Sequence, residues 1–245
     1  MHSRIAPPLD LADRIEHFWR VRWDLEGLPP RVQETLPHPN VHIVIGPRSA
    51  AVWGVHTRRW TRELAGRSQA FGIKFRPGAF RSLVGGPLSE LADRALPLAE
   101  LFGPEAVVLN EVLDCADAEA AALSSEFLRA RLPALDAPAR LVGRIVDCVA
   151  EDLTLHSVDA LARRFEMNPR TLQRLFNDRV GVGAKWVIKR YRMHEALARV
   201  QAGQPASWAA LAQDLGYFDQ AHFIADFRRL VGETPASYAR AIREV

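Results

Sequence analysis

The chain has 245 residues, 48% hydrophobic and 25% charged, an ordinary balance for a folded globular protein that excludes extensive disorder. Its net charge of +3 is uneven: residues 1–140 balance 17 basic against 17 acidic side chains, whereas residues 141–245 carry 15 against 12. Cys115 and Cys148 make neither a CxxC pair nor a disulfide framework, no uncharged apolar run is long enough to cross a bilayer, and the charged first residues do not form a signal peptide, so a soluble cytoplasmic protein is expected.

From Ile15 to Phe75 the segments HFWRVRW, VHIVIG, AVWGVHTRRW and FGIKF are short, aromatic and β-branched, and are bounded by Pro and Gly. They predict a β-rich sheet or partial barrel. Trp19, Trp23, Trp53, Trp60, Phe71 and Phe75 alternate along these strands. They either build an aromatic core or line an effector pocket, for which Trp19, Trp53 and Lys74 are the named candidates, with Arg58 or Arg76 as other partners for a carboxylate. His38, His42 and His56 raise a metal site, but two strand residues four apart lie about 13 Å from one another, too far to share an ion unless the tract bends at Pro39, so surface or turn histidines are expected. No GxSxG, HExxH, GxGxxG or Walker sequence occurs, so neither catalysis nor a cofactor is expected.

Helices are predicted over about 98–113, 117–131 and 138–151, and the Pro- and Ala-rich segment LPALDAP places a domain boundary near residue 137. Between Arg163 and Arg192, nine Arg or Lys face only Glu166 and Asp178. A net +7 in thirty residues points to a polyanionic partner.

Residues 157–179 read as two helices around a tight turn. Ser157 caps the first, and Asn168 followed by Pro169 starts the second. In that second helix Leu172, Leu175 and Phe176 form an inward stripe. Arg170, Gln173, Arg174 and Asn177 fall at i, i+3, i+4 and i+7 on the other side. A face made of donors suits the major groove, where Arg forks onto guanine and Gln or Asn onto adenine. Residues 184–202 form an unbroken helical stretch about 28 Å long, with Lys185, Lys189, Arg190 and Arg192 as candidate phosphate contacts. A second unit over 207–229 has Ser207 and Asp219 as caps and Gly216 as the left-handed turn residue. Gln220, Ala221, His222, Ala225 and Asp226 are expected to face outward, a surface poorer in donors.

The stretches LARRFEMNPRTLQRLF, VGVGAKWVIKRYRMHEAL and LAQDLGYFDQAHFIADFRRLVGETPASYAR resemble the DNA-binding domain of the AraC/XylS family of bacterial transcription regulators. The resemblance implies double-stranded DNA as partner, with base or near-base contacts at Arg170, Thr171, Gln173 and Arg174, and at Gln220, Ala221, His222 and Ala225. Where the family usually has a basic side chain in the second recognition helix, this chain has Ala225 and Asp226, so base readout by that unit stays open beside contacting backbone, fixing register or touching RNA polymerase. The N-terminal region is similar, more weakly, to the cupin-like sensor halves of such proteins, which implies a small-molecule effector and a homodimer. The expected architecture is therefore α+β: a regulatory domain over 1–137 and a DNA-binding domain over 138–245, nucleoid-associated in the cell. A cupin-like metal-binding protein or enzyme with an appended DNA-binding domain, and an effector-independent regulator, are the alternatives.

Overall fold

The computed structural model describes residues 1–203 and 207–243. It divides into two compact units, one made of Met1–Gly143 with Leu175–Val182 and the other of Arg144–Arg174 with Gly183–Val245. The division runs inside a helix, a few residues beyond the LPALDAP segment.

The first unit is built on eight strands: β1 (His2–Ile5), β2 (Ile15–Leu25), β3 (Arg31–Thr35), β4 (His42–Gly46), β5 (Ser49–Trp53), β6 (Trp60–Leu64), β7 (Gly66–Phe75) and β8 (Ala95–Pro97). Six pair antiparallel in the order β1-β2-β7-β4-β5-β8, while β3 and β6 form a separate ribbon. The β-rich expectation takes the form of an open sheet with β1 and β8 as its edges. Alternation along the strands puts Phe18, Ile43, Ile45, Val52, Phe71, Ile73 and Phe75 on the buried face. That face is covered by α1 (Leu98–Phe102), a 3-10 stretch (Pro104–Leu113) and α2 (Asp117–Arg129), which add Leu98, Leu109, Val112, Ala120 and Leu128 to the same core.

The single helix expected over 98–113 is thus two pieces. Gly103 takes φ +73, and Pro104 has no N–H to continue an α-helical ladder, so the chain restarts as a tighter helix. Arg20 also points into this core, and three contacts account for its burial. Nη2 donates to Val112 O at 2.7 Å, Nε lies 3.0 Å from an Asp117 carboxylate oxygen, and the guanidinium sits 5.3 Å from the Phe71 ring centre.

The remaining helices are α3 (Ala137–Glu151), α4 (Val158–Arg164), α5 (Pro169–Arg179), α6 (Ala184–Gln201), α7 (Trp208–Asp214), α8 (Gln220–Val231) and α9 (Pro235–Arg243). In the second unit the apolar positions at helical spacing, among them Leu161, Leu172, Val187, Met193, Leu211, Phe223 and Phe227, are all buried. Each fully buried Leu or Phe is worth about 1.5 to 3 kcal/mol.

Candidate nucleic-acid interface

Two helix-turn-helix units repeat the same backbone at an offset of fifty residues. Ser157 Oγ accepts from Ala160 N at 3.1 Å, and Ser207 Oγ accepts from Ala210 N at 3.1 Å. Both first helices close with a Schellman pair: Met167 N donates to Ala162 O and Glu166 N to Arg163 O in one, Tyr217 N to Ala212 O and Gly216 N to Gln213 O in the other. The closing residue is left-handed each time, with φ +52 at Glu166 and φ +75 at Gly216. A glycine meets that demand without cost; a glutamate does not.

The second helix of each unit then starts on its expected cap. Asn168 Oδ1 accepts from Arg170 N at 2.8 Å, and Asp219 Oδ1 from His222 N at 2.7 Å. These caps lie fifty-one residues apart, so the second turn holds one extra residue. It is Phe218, 95% exposed.

On α5 the outward face consists of Arg170, Thr171, Arg174 and Asn177, all exposed. Gln173 is half-buried and lies against Gly183, where a methyl group would collide with its amide. It therefore stands at the edge of the donor face rather than at its centre.

The basic tract is less available than its charge count. On α6, Lys185 is exposed, but Lys189 is held 2.9 Å from Asp226. Arg190, expected at a phosphate, is 1% exposed, with its guanidinium 4.3 Å from the Trp186 ring centre. Burial, with a smaller contribution from Arg229, lowers its pKa to about 10. Arg192 is also buried, donating to the carbonyls of Val149, Asp152 and Leu155, which closes the chain leaving α3. These two arginines hold the fold and are removed from the contact surface.

On α8, Gln220 and His222 are exposed, as expected. The His222 ring packs edge-on to Tyr217 at 5.3 Å. Asp226, expected to face outward, is buried and accepts from Lys189 and from Arg229, each at 2.9 Å. Its helical phase places it beside Phe223 and Phe227, so the carboxylate turns to the two cations within reach. The outward surface is then Ala221, Ile224, Ala225, Arg228 and Arg229, which with Thr234 line a shallow groove. Arg228, Arg229 and Phe218 were missed in the sequence, although the seven-residue spacing from Ala221 puts Arg228 on the face of Ala221 and Ala225.

In the first unit, strand register aligns His17 on β2, Lys74 on β7, His42 on β4 and Trp53 on β5 as successive cross-strand neighbours. Trp19 lies over Gly72, where a side chain would overlap the indole. Its Nε1 donates to His42 Nδ1 at 3.3 Å. The three expected effector contacts Trp19, Trp53 and Lys74 thus share one sheet face. Lys74, however, is already paired with Glu16 at 2.8 Å. Burial, assisted by Lys74, lowers the pKa of His42 to about 3 and of His17 to about 4. Among the described residues no group of three His, Cys, Asp or Glu is placed to hold a metal ion, and no helix is long and apolar enough to cross a membrane.

Residues 3–97 match the model of a domain of unknown function, and residues 161–241 that of a helix-turn-helix domain. The chain is 29% identical over 89 residues to the uncharacterized HTH-type transcriptional regulator YtdP of Bacillus subtilis (strain 168), covering 36% of this chain and 11% of that protein. It is 35% identical over 81 residues to the HTH-type transcriptional regulator GlxA of Rhizobium meliloti (strain 1021), covering 33% and 25%. The matched region therefore spans a quarter or less of these relatives. ToxT from Vibrio cholerae O395 aligns over 92% of this chain and 97% of its own at 15% identity and a TM-score of 0.45. Residues 161–241 of this chain are a helix-turn-helix domain.

Proposed function

We propose that this chain is a sequence-specific DNA-binding transcription regulator, with residues 138–245 as the DNA-binding domain and residues 1–137 as the regulatory one. The observation that carries the reading is the donor face of α5, where Arg170, Thr171, Arg174 and Asn177 stand exposed on a helix capped by Asn168. Guanine and adenine edges in the major groove present the acceptors that such a face pairs with. Arg163, Arg164 and Lys185, also exposed, supply salt-dependent phosphate contacts that position the helix. The protein acts in the cytoplasm on nucleoid DNA, as a homodimer and alongside RNA polymerase, and has no enzymatic role in this reading.

The test is a titration of Arg174→Ala on a duplex selected from a random pool. A loss of about 1 to 3 kcal/mol on the selected site, with little change on random DNA, is the expected result. No loss, or an equal loss on both, overturns the role.

A small effector at the sheet face of Trp19, His42, Lys74 and Trp53 is the regulatory part of the proposal. Its support is the aromatic and neutral-imidazole lining just described. Since Glu16 already balances Lys74, the face suits a neutral or weakly polar aromatic compound better than the carboxylate expected from Lys74 alone. Thermal stabilisation by such compounds, lost in Trp53→Ala, checks it.

A further inference from the structure

The two recognition helices superpose by sequence once the extra turn residue is counted. Buried Leu172 and Phe176 of α5 correspond to buried Phe223 and Phe227 of α8, and the caps Asn168 and Asp219 coincide. In that register Arg170 becomes Ala221, Gln173 becomes Ile224, Arg174 becomes Ala225 and Asn177 becomes Arg228. Three of the four α5 positions nominated for base contact therefore carry only hydrocarbon on α8.

The polar groups of α8 are mostly committed elsewhere. Asp219 caps the helix, Asp226 is buried with Lys189 and Arg229, and the His222 ring packs on Tyr217. What remains at the centre of the outward face is Ala221, Ile224 and Ala225, bordered by Arg228 and Arg229.

Small side chains let a helix backbone approach a partner closely, and cations beside an apolar strip match phosphates flanking a groove. Among the base edges of the major groove only thymine presents hydrocarbon, its 5-methyl group. With Asp226 turned inward, no carboxylate of the α8 centre opposes the phosphates.

Resting on the DNA-binding reading above, we propose that the second helix-turn-helix reads thymine 5-methyl groups with Ala221, Ile224 and Ala225. The operator half under α8 is selected for thymine by hydrocarbon contact, and the half under α5 for guanine and adenine by hydrogen bonds. The second unit is thus a base reader of a different chemical kind.

The experiment uses the full chain and a duplex selected from a random pool, in which each thymine is replaced singly by deoxyuridine. This removes one methyl group and leaves every hydrogen-bonding group in place. At one or more thymines, clustered in one half of the site, affinity falls about fourfold, as expected for one buried methyl or methylene group. In Ile224→Ala at least one of those penalties disappears, whereas in Arg174→Ala, which binds more weakly throughout, they persist. Circular dichroism confirms that each variant is folded. A scan in which no uracil matters overturns the proposal, as do penalties that Ile224→Ala leaves untouched. If Ile224→Arg binds the selected and random duplexes as the parent does, the face serves a protein partner instead. Failure to select any duplex refutes the DNA-binding reading itself and is distinct from all of these.

Discussion

Lowering the pH from 7 to 5 should destabilise the first unit, and His42 is the main cause. Its Nδ1 accepts the Trp19 indole N–H, so the proton of the neutral ring sits on Nε2. Protonating Nδ1 would set two donors against each other. The groups facing it are Lys74 on β7 and, further along the sheet, His17 and His56, with Glu16 taken up by Lys74. Burial first, and these neighbours second, lower its pKa from 6.5 to about 3.

The folded state therefore stays unprotonated where the unfolded chain gains a proton, so stability is full above the unfolded value and falls as pH drops below it. At about 1.36 kcal/mol per pH unit below 6.5, His42 alone removes about 2 kcal/mol between pH 7 and pH 5. His17, lowered to about 4, adds in the same direction. Urea unfolding followed by tryptophan fluorescence at pH 7, 6 and 5 measures the loss. His42→Gln keeps an acceptor for Trp19 and does not titrate in this range, so the pH dependence should shrink by about 2 kcal/mol. An unchanged pH dependence in that variant would refute the reasoning.

Glu166→Gly should stabilise the chain by about 1 kcal/mol, because it removes a left-handed glutamate at a modest cost in unfolded-state flexibility. Calorimetry should show a rise of about 2 to 4 °C. Gly216→Ala should do the reverse, more strongly, since the added methyl meets the His156 ring as well as φ +75. For Asp226, burial raises the carboxyl pKa, but hydrogen bonds from Lys189 and Arg229 outweigh it and hold the value low. Its contribution is present above the unfolded value and lost as pH falls through the folded one, so Asp226→Asn should cost about 1 to 3 kcal/mol at pH 7 and less in acid. Arg190→Ala should cost about 2 to 4 kcal/mol of stability while leaving the dependence of DNA affinity on salt unchanged, because it removes packing over Trp186 and no phosphate contact. A reduced salt slope would place Arg190 back at the DNA.

Legibility followed the range of the interaction. Ser157, Asn168, Ser207, Asp219 and Gly216 act within one turn of their own position, and each does what its residue type and spacing imply. The orientation of long charged side chains did not yield in the same way. Arg190 is three residues from both Val187 and Met193, on the apolar stripe of α6, with Trp186 one turn before it; that phase was a usable signal which the charge count obscured. Asp226 needed Lys189 from a helix 37 residues away, and nothing local specifies that pairing. On the sheet, strand alternation identified the aromatic segments. The alignment of His17, Lys74, His42 and Trp53 depends on the β2-β7-β4-β5 order, which no single strand encodes.

The same distinction bears on how two outward faces of unlike chemistry arise on one scaffold. Caps, Schellman closures and the buried Leu or Phe pair determine the path of each unit, and they are matched in both. The outward positions carry none of that burden, so Arg174 and Ala225 occupy equivalent places without altering the backbone. Their energetic consequences differ. A buried donor facing the wrong base loses its partner and incurs the desolvation penalty, about 1 to 3 kcal/mol, whereas a missing methyl contact forfeits only its own burial, near 0.8 kcal/mol. If α5 reads by donors and α8 by hydrocarbon, substitutions in the α5 half of an operator should be nearly all-or-none, and those in the α8 half graded. A series of operators varied in the α8 half could then be occupied in sequence as the concentration of the protein rises.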